Sequence, residues 1–136
     1  MSEERYEVKL RTKSGDHINA VFAYDDLLDP PTLILRFAGE EIRACEDDFF
    51  EALCTIRKQL ESVGLQPLCY GASRDVFPSP MSRDMGGGLK AYQLKVGNPA
   101  LTKDLVCIFD SGPDIDPASV AEQEAYYTQW LKSLRK

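Results

Sequence analysis

Residues 46–64, EDDFFEALCTIRKQLESVG, decide the fold class. Acids open the stretch, where the positive end of a helix dipole favours them, and Gly64 closes it. Phe49, Leu53, Ile56, Leu60 and Val63 recur at steps of four, three, four and three, which lays them along one stripe of an amphipathic helix. Arg57, Lys58 and Glu61 are read as facing the other way. The spacing predicts a helix lying on a sheet.

Upstream of this helix the period changes to two. Tyr6, Val8 and Leu10 alternate with Glu7, Lys9 and Arg11, the pattern of a half-buried strand. Ser14-Gly15-Asp16 turns the chain, and Ile18, Ala20, Phe22 and Tyr24 resume the alternation as an antiparallel hairpin. Pro30-Pro31 breaks the pattern, TLILRF (32–37) forms the next strand, and EIRAC (41–45) forms a short fourth one.

Downstream, Leu65–Gly71, Leu89–Val96 and the apolar Leu105–Phe109 read as three more strands, the last of them central. Asp116 as N-cap with Pro117 at the first helical position starts a closing helix that runs to about Leu134. Its stripe is Val120, Tyr127, Leu131 and Leu134, with Trp130 beside it. Strands, a helix, strands and a helix in that order argue for an α+β fold. The expectation is a mostly antiparallel sheet of about six to seven strands with two amphipathic helices packed on it. Chain length favours one domain over residues 1–136.

One stretch escapes periodicity: GASRDVFPSPMSRDMGGG, residues 71–88. A connection of this length is either functional or disordered, and its apolar Val76, Phe77, Met81 and Met85 argue against a solvated linker. It reads as an ordered surface loop. Arginine, methionine and aromatic side chains are enriched at protein interfaces. The candidate partner-binding residues are therefore Arg74, Asp75, Phe77, Met81, Arg83, Asp84 and Met85, with Tyr70 and Tyr92 at the flanks. Ion pairs of Arg74 with Asp84, or of Arg83 with Asp75, are the alternative role for the charged members.

Other chemistry has little footing in the residue pattern. Gly86-Gly87-Gly88 lacks the Lys-Ser/Thr and following helix of a phosphate loop, and reads as freedom for the chain to turn back into the sheet. Ser73, Ser79, Ser82 and Cys69 lack a neighbouring base, because the single histidine, His17, sits at a distant hairpin. Cys45, Cys54, Cys69 and Cys107 show no paired spacing and read as reduced core residues. The acids Asp110, Asp114 and Asp116 lack the spacing of a calcium loop. No catalytic residue, metal site or cofactor is expected.

A net charge of −6 disfavours nucleic acid as a partner. The tail cations Lys132, Arg135 and Lys136 complement a helix C-terminus. No apolar run is long enough for a membrane helix, so no membrane association is expected. The start, Met-Ser-Glu-Glu-Arg, is unlike a signal peptide, which makes the cytoplasm the expected compartment.

The run YGASRDVFPSPMSRDMGGGLKAYQL (70–94), with LVCIFD (105–110) and AEQEAYYTQWLKSL (121–134), resembles small bacterial immunity proteins encoded beside polymorphic or contact-delivered toxins. The likeness runs from about Phe50 to the end of the chain. It implies a cytosolic, non-enzymatic protein that blocks a cognate toxin domain by binding it. An acidic chain suits a basic partner of that kind. Two other readings stand beside it: a secretion chaperone or adaptor for an effector protein, and a small enzyme using residues 71–88 as an active-site lid.

Overall fold

A computed structural model describes residues 3–135. The readings that fall on Met1, Ser2 and Lys136 lie outside the described residues. The fold is α+β with antiparallel sheets.

The amino-terminal third is a meander. β1 (Glu3–Arg11) pairs antiparallel with β2 (His17–Asp25), setting Tyr6 opposite Phe22, Val8 opposite Ala20 and Leu10 opposite Ile18. β2 pairs with β3 (Thr32–Phe37), and β3 with β4 (Glu40–Cys45). The turn between β3 and β4 places Ala38 at φ 50° and Gly39 at φ 75°, the left-handed pair that suits the twist of a tight hairpin. Alternation therefore sends Val8, Leu10, Phe22, Tyr24, Leu33 and Leu35 to one face, where all are buried.

That face is covered by α1 (Phe49–Glu61). Asp48 caps it, its Oδ1 accepting a 2.7 Å bond from Glu51 N. Leu53, Ile56 and Leu60 are fully buried, each contributing roughly 1.5–3 kcal/mol by leaving water. Two residues depart from the expected stripe. Val63 is 68% exposed, because the helix ends before it and the chain turns at Gly64. Arg57, expected outside, is buried; it lies four residues after Leu53 and three before Leu60, on the stripe itself.

The remaining chain departs from the expected single sheet. Only Gln66–Pro67 (β5) of the 65–71 strand pairs, joining β1 so that the large sheet runs β4-β3-β2-β1-β5. A second sheet of three strands holds β6 (Val76–Phe77), β7 (Lys90–Gln93) and β8 (Leu105–Cys107), with β7 in the middle. LVCIF is thus not a central strand. Leu105–Cys107 is an edge, and Ile108 and Phe109 then leave it to enter the core. There the Phe109 ring packs 5.2 Å from both Tyr6 and Phe22. A short apolar run looks the same whether it pairs throughout or ends as a plug.

Helix α2 (Pro80–Gly86) forms inside the 71–88 stretch, making three α-helices among the described residues rather than two. The closing helix α3 spans Val120–Ser133, and its cap is Ser119, not Asp116. Ser119 Oγ accepts from Glu122 N, while Glu122 Oε1 accepts from Ser119 N, a reciprocal capping box. Asp116 is held elsewhere: its N–H donates to Ser73 Oγ and its carbonyl accepts from Arg74 N. Leu131 and Leu134 are 42% and 38% exposed, because only Val120 and Gln123 of this helix are buried. Lys132 does occupy the last turn. Among the described residues no helix is long and apolar enough to cross a membrane.

Candidate partner-binding surface

The 71–88 stretch is ordered from beneath by two buried polar side chains. Arg57 Nη1 donates to Gly71 O at 3.1 Å and to Gln123 Oε1 at 2.6 Å, and its Nη2 donates to Ala118 O at 2.9 Å. Gln123 Nε2 in turn donates to the carbonyls of Gly71, Ser73 and Val76 at 2.8–2.9 Å. These carbonyls lie in a single 3-10 turn, the loop after it and the edge strand β6, and the amide and guanidinium satisfy them there. Gly71 is required by closeness: a Cβ there would sit 2.9 Å from Ile108 Cβ and inside contact distance of Leu53 Cδ2.

The outer half of the stretch is held by Arg83. Its Nε donates to Asp48 Oδ2 at 2.8 Å, its Nη2 donates to Glu51 Oε2 at 2.9 Å, and its guanidinium lies 5.5 Å from the Phe50 ring centre. Burial alone would lower the Arg83 pKa; the two carboxylates outweigh it and hold the charge in place. Ser79 caps α2 by accepting from Ser82 N, and Ser82 Oγ donates to Lys90 O at 2.6 Å. Gly87 ends α2 at φ 66°, and its carbonyl accepts from Phe49 N at 2.7 Å. The glycine run turns the chain back, as expected, and docks it on the start of α1.

So pinned, α2 buries none of its own residues. It presents Met81 at 70% exposure and Met85 at 83%, one helical turn apart. Beside it runs a row of aromatic rings. Phe50 meets Phe77 edge-on at 5.0 Å, Phe77 stacks on Tyr127 at 4.0 Å and 10°, and Tyr127 adjoins Trp130 at 6.0 Å. Between α2, the start of α1 and Tyr127 lies a groove of about 690 Å³, lined by Phe77, Pro78, Pro80 and Tyr127 and by Glu46, Asp47, Asp48, Glu51, Arg83 and Asp84.

The nine candidate residues divide between two flanks. Phe77, Arg83 and Asp84 line this groove, with Met81 and Met85 exposed on the adjoining helix. Arg74 and Tyr70 belong to the other flank, against residues 114–122, and Asp75 bonds Ser73 and Leu94. Arg74 pairs with Asp116 at 3.1 Å and Glu122 at 3.4 Å. Ser73 Oγ donates to Asp75 Oδ1, and Tyr70 OH donates to Asp114 Oδ1 at 2.7 Å. Tyr92, in β7, stands opposite Phe77 in the small sheet. Both arginines do form ion pairs, but with Asp116, Glu122, Asp48 and Glu51 in place of the Asp84 and Asp75 expected from sequence. Those partners come from other elements, which chain proximity could not indicate. Tyr127, Glu46, Asp47 and Glu51 were missed as groove residues, although the aromatic cluster near the chain end was a signal.

The cysteine and serine side chains sit in varied surroundings. Cys69 is fully buried, and burial pushes its thiol up to about 12; burial likewise pushes Cys54 up to about 11. Cys45, expected in the core, is exposed on the edge strand β4. Ser73, Ser79 and Ser82 are each engaged in the bonds given above. Among the described residues, no group of three His, Cys, Asp or Glu side chains is placed to hold a metal ion. The chain matches no protein-family model and no curated protein sequence.

Proposed function

We propose that this chain is a non-enzymatic binding protein of the immunity type, which neutralises a cognate toxin domain by direct contact through α2 and the surface beside it. One observation carries the reading. No residue of helix α2 is fully buried and its two methionines are exposed, yet two salt bridges, a serine cap and a backbone bond to α1 hold it in one position. A helix whose methionines stay in water gains the fold little hydrophobic stabilisation. Rigid display of Met81 and Met85 is what such an arrangement supplies, and preorganised contacts bind with less entropic cost.

The test is capture of the tagged protein from its own cells through a high-salt wash. One stoichiometric partner carrying a toxin domain is expected, and Met81→Ala with Met85→Ala should strip it while leaving the melting temperature of the free protein unchanged. Recovery of the chain alone, or full retention by the double variant, would overturn the reading.

A further inference from the structure

We propose that the groove between α1, α2 and α3 receives an arginine- or lysine-bearing segment of the partner protein, an inference that rests on the protein-binding reading above. The groove combines an apolar floor with a rim of one sign. Phe77, Pro78, Pro80 and Tyr127 supply apolar lining, and Glu46, Asp47, Glu51 and Asp84, with the buried Asp48, supply five carboxylates against the one cation, Arg83.

Arg83 shows how this wall accommodates a guanidinium. It bridges Asp48 and Glu51 at 2.8 and 2.9 Å while lying against Phe50, so charge pairing and ring contact occur together. Arg83 uses only part of the rim. Glu46 Oε2 accepts from Thr55 Oγ1, whereas Asp47 and Asp84 are exposed and have no ion-pair partner among the described residues. An acidic segment would meet like charge here, and a purely apolar one would leave the rim carboxylates desolvated and unpaired. A basic segment packs its aliphatic stem on the rings and places its charge at the rim.

The single tryptophan makes the test direct, since Trp130 adjoins Tyr127. Trp130 fluorescence is followed during titration with a hexa-arginine peptide, with hexaglutamate as control. A saturable change with the basic peptide only is expected. Asp47→Asn with Asp84→Asn should weaken it about tenfold. Glu7→Gln with Glu40→Gln removes the same charge from the large sheet, away from the groove, and should leave binding unchanged.

Equal weakening by the two double variants would reduce the effect to net charge and overturn the inference, as would the absence of saturation. If the captured partner is held equally by wild type and by the Asp47→Asn, Asp84→Asn variant, the binding function stands and the groove assignment falls. If the peptide binds at the groove but no partner is captured, the partner reading falls, not the cation preference of the groove.

Discussion

Arg57 and Gln123, 66 residues apart in the chain, meet in the core through a 2.6 Å hydrogen bond from Nη1 to Oε1. Neither side chain is exposed by more than 1%, and the nearest acceptors of the guanidinium are neutral oxygens of Gln123, Gly71 and Ala118. A charge in the core without a carboxylate is stabilised only while every acceptor is in place. The pair therefore sets the position of α3 relative to α1, and of residues 71–76 relative to both.

Breaking one half of this pair should be severe. Gln123→Ala removes an acceptor from Arg57 and the donor of three backbone carbonyls, and should cost about 3–5 kcal/mol in urea unfolding. The double variant Arg57→Leu, Gln123→Leu should recover part of that loss, because no buried charge remains. A single-variant cost under about 1 kcal/mol would mean that water replaces the amide.

Helix faces can be tested by truncation. Leu53→Ala, at a fully buried position, should cost about 2–5 kcal/mol. Val63→Ala and Leu131→Ala, 68% and 42% exposed, should fall within about 0.5 kcal/mol of wild type. A large loss at Leu131 would place the end of α3 against the body of the protein.

Gly71→Ala probes closeness and not backbone freedom. The added methyl meets Leu53 Cδ2 and sits 2.9 Å from Ile108 Cβ, so overpacking should cost about 1–3 kcal/mol. The cost should shrink when Leu53 is replaced by Ala in the same chain, since that substitution opens the space. Additive losses in the double variant would argue for another cause.

Asp114 is expected to titrate low. Gln93 Nε2 and Tyr70 OH both donate to its carboxylate, holding its pKa below the ordinary value near 3.8. With the folded value depressed, the clamp stabilises the fold above the unfolded pKa and is lost as pH falls through the folded one. Carbonyl-carbon NMR of Asp114 should show a midpoint below that ordinary value, moving upward in Tyr70→Phe. An unmoved midpoint would remove Tyr70 from the clamp.

Much of the architecture was legible because local periodicity carries it. Tyr6, Val8 and Leu10 against Phe22 and Ala20 alternate cleanly, and the meander follows. The stripe from Phe49 to Leu60 announces α1. Arg57 was misplaced because its charge outweighed its position on that stripe, and only the carbonyls of distant segments explain its burial. The small sheet was hidden for another reason: β6 pairs only two residues, too few to show a period.

The 71–88 stretch was singled out by its composition, and its internal form was not legible. Proline at the start of α2 and glycine at its end were both present in the sequence, yet seven residues are too few for an isolated helix to stand alone in water. Arg83 reaching Asp48 and Glu51 supplies the missing stability. By itself the sequence determined the α+β class, the meander and α1, because each rests on neighbours in the chain; composition set residues 71–88 apart from a solvated linker, but Arg57, Gln123 and Arg83 order them through distant partners. The tertiary structure alone decided which carboxylates hold Arg74 and Arg83, what holds Asp116 apart from α3, and how an aromatic and acidic groove forms beside α2. Those outcomes depend on side chains far apart in the chain, such as Arg83 with Glu51 and Arg74 with Glu122, 32 and 48 residues apart, a pairing that chain order does not express.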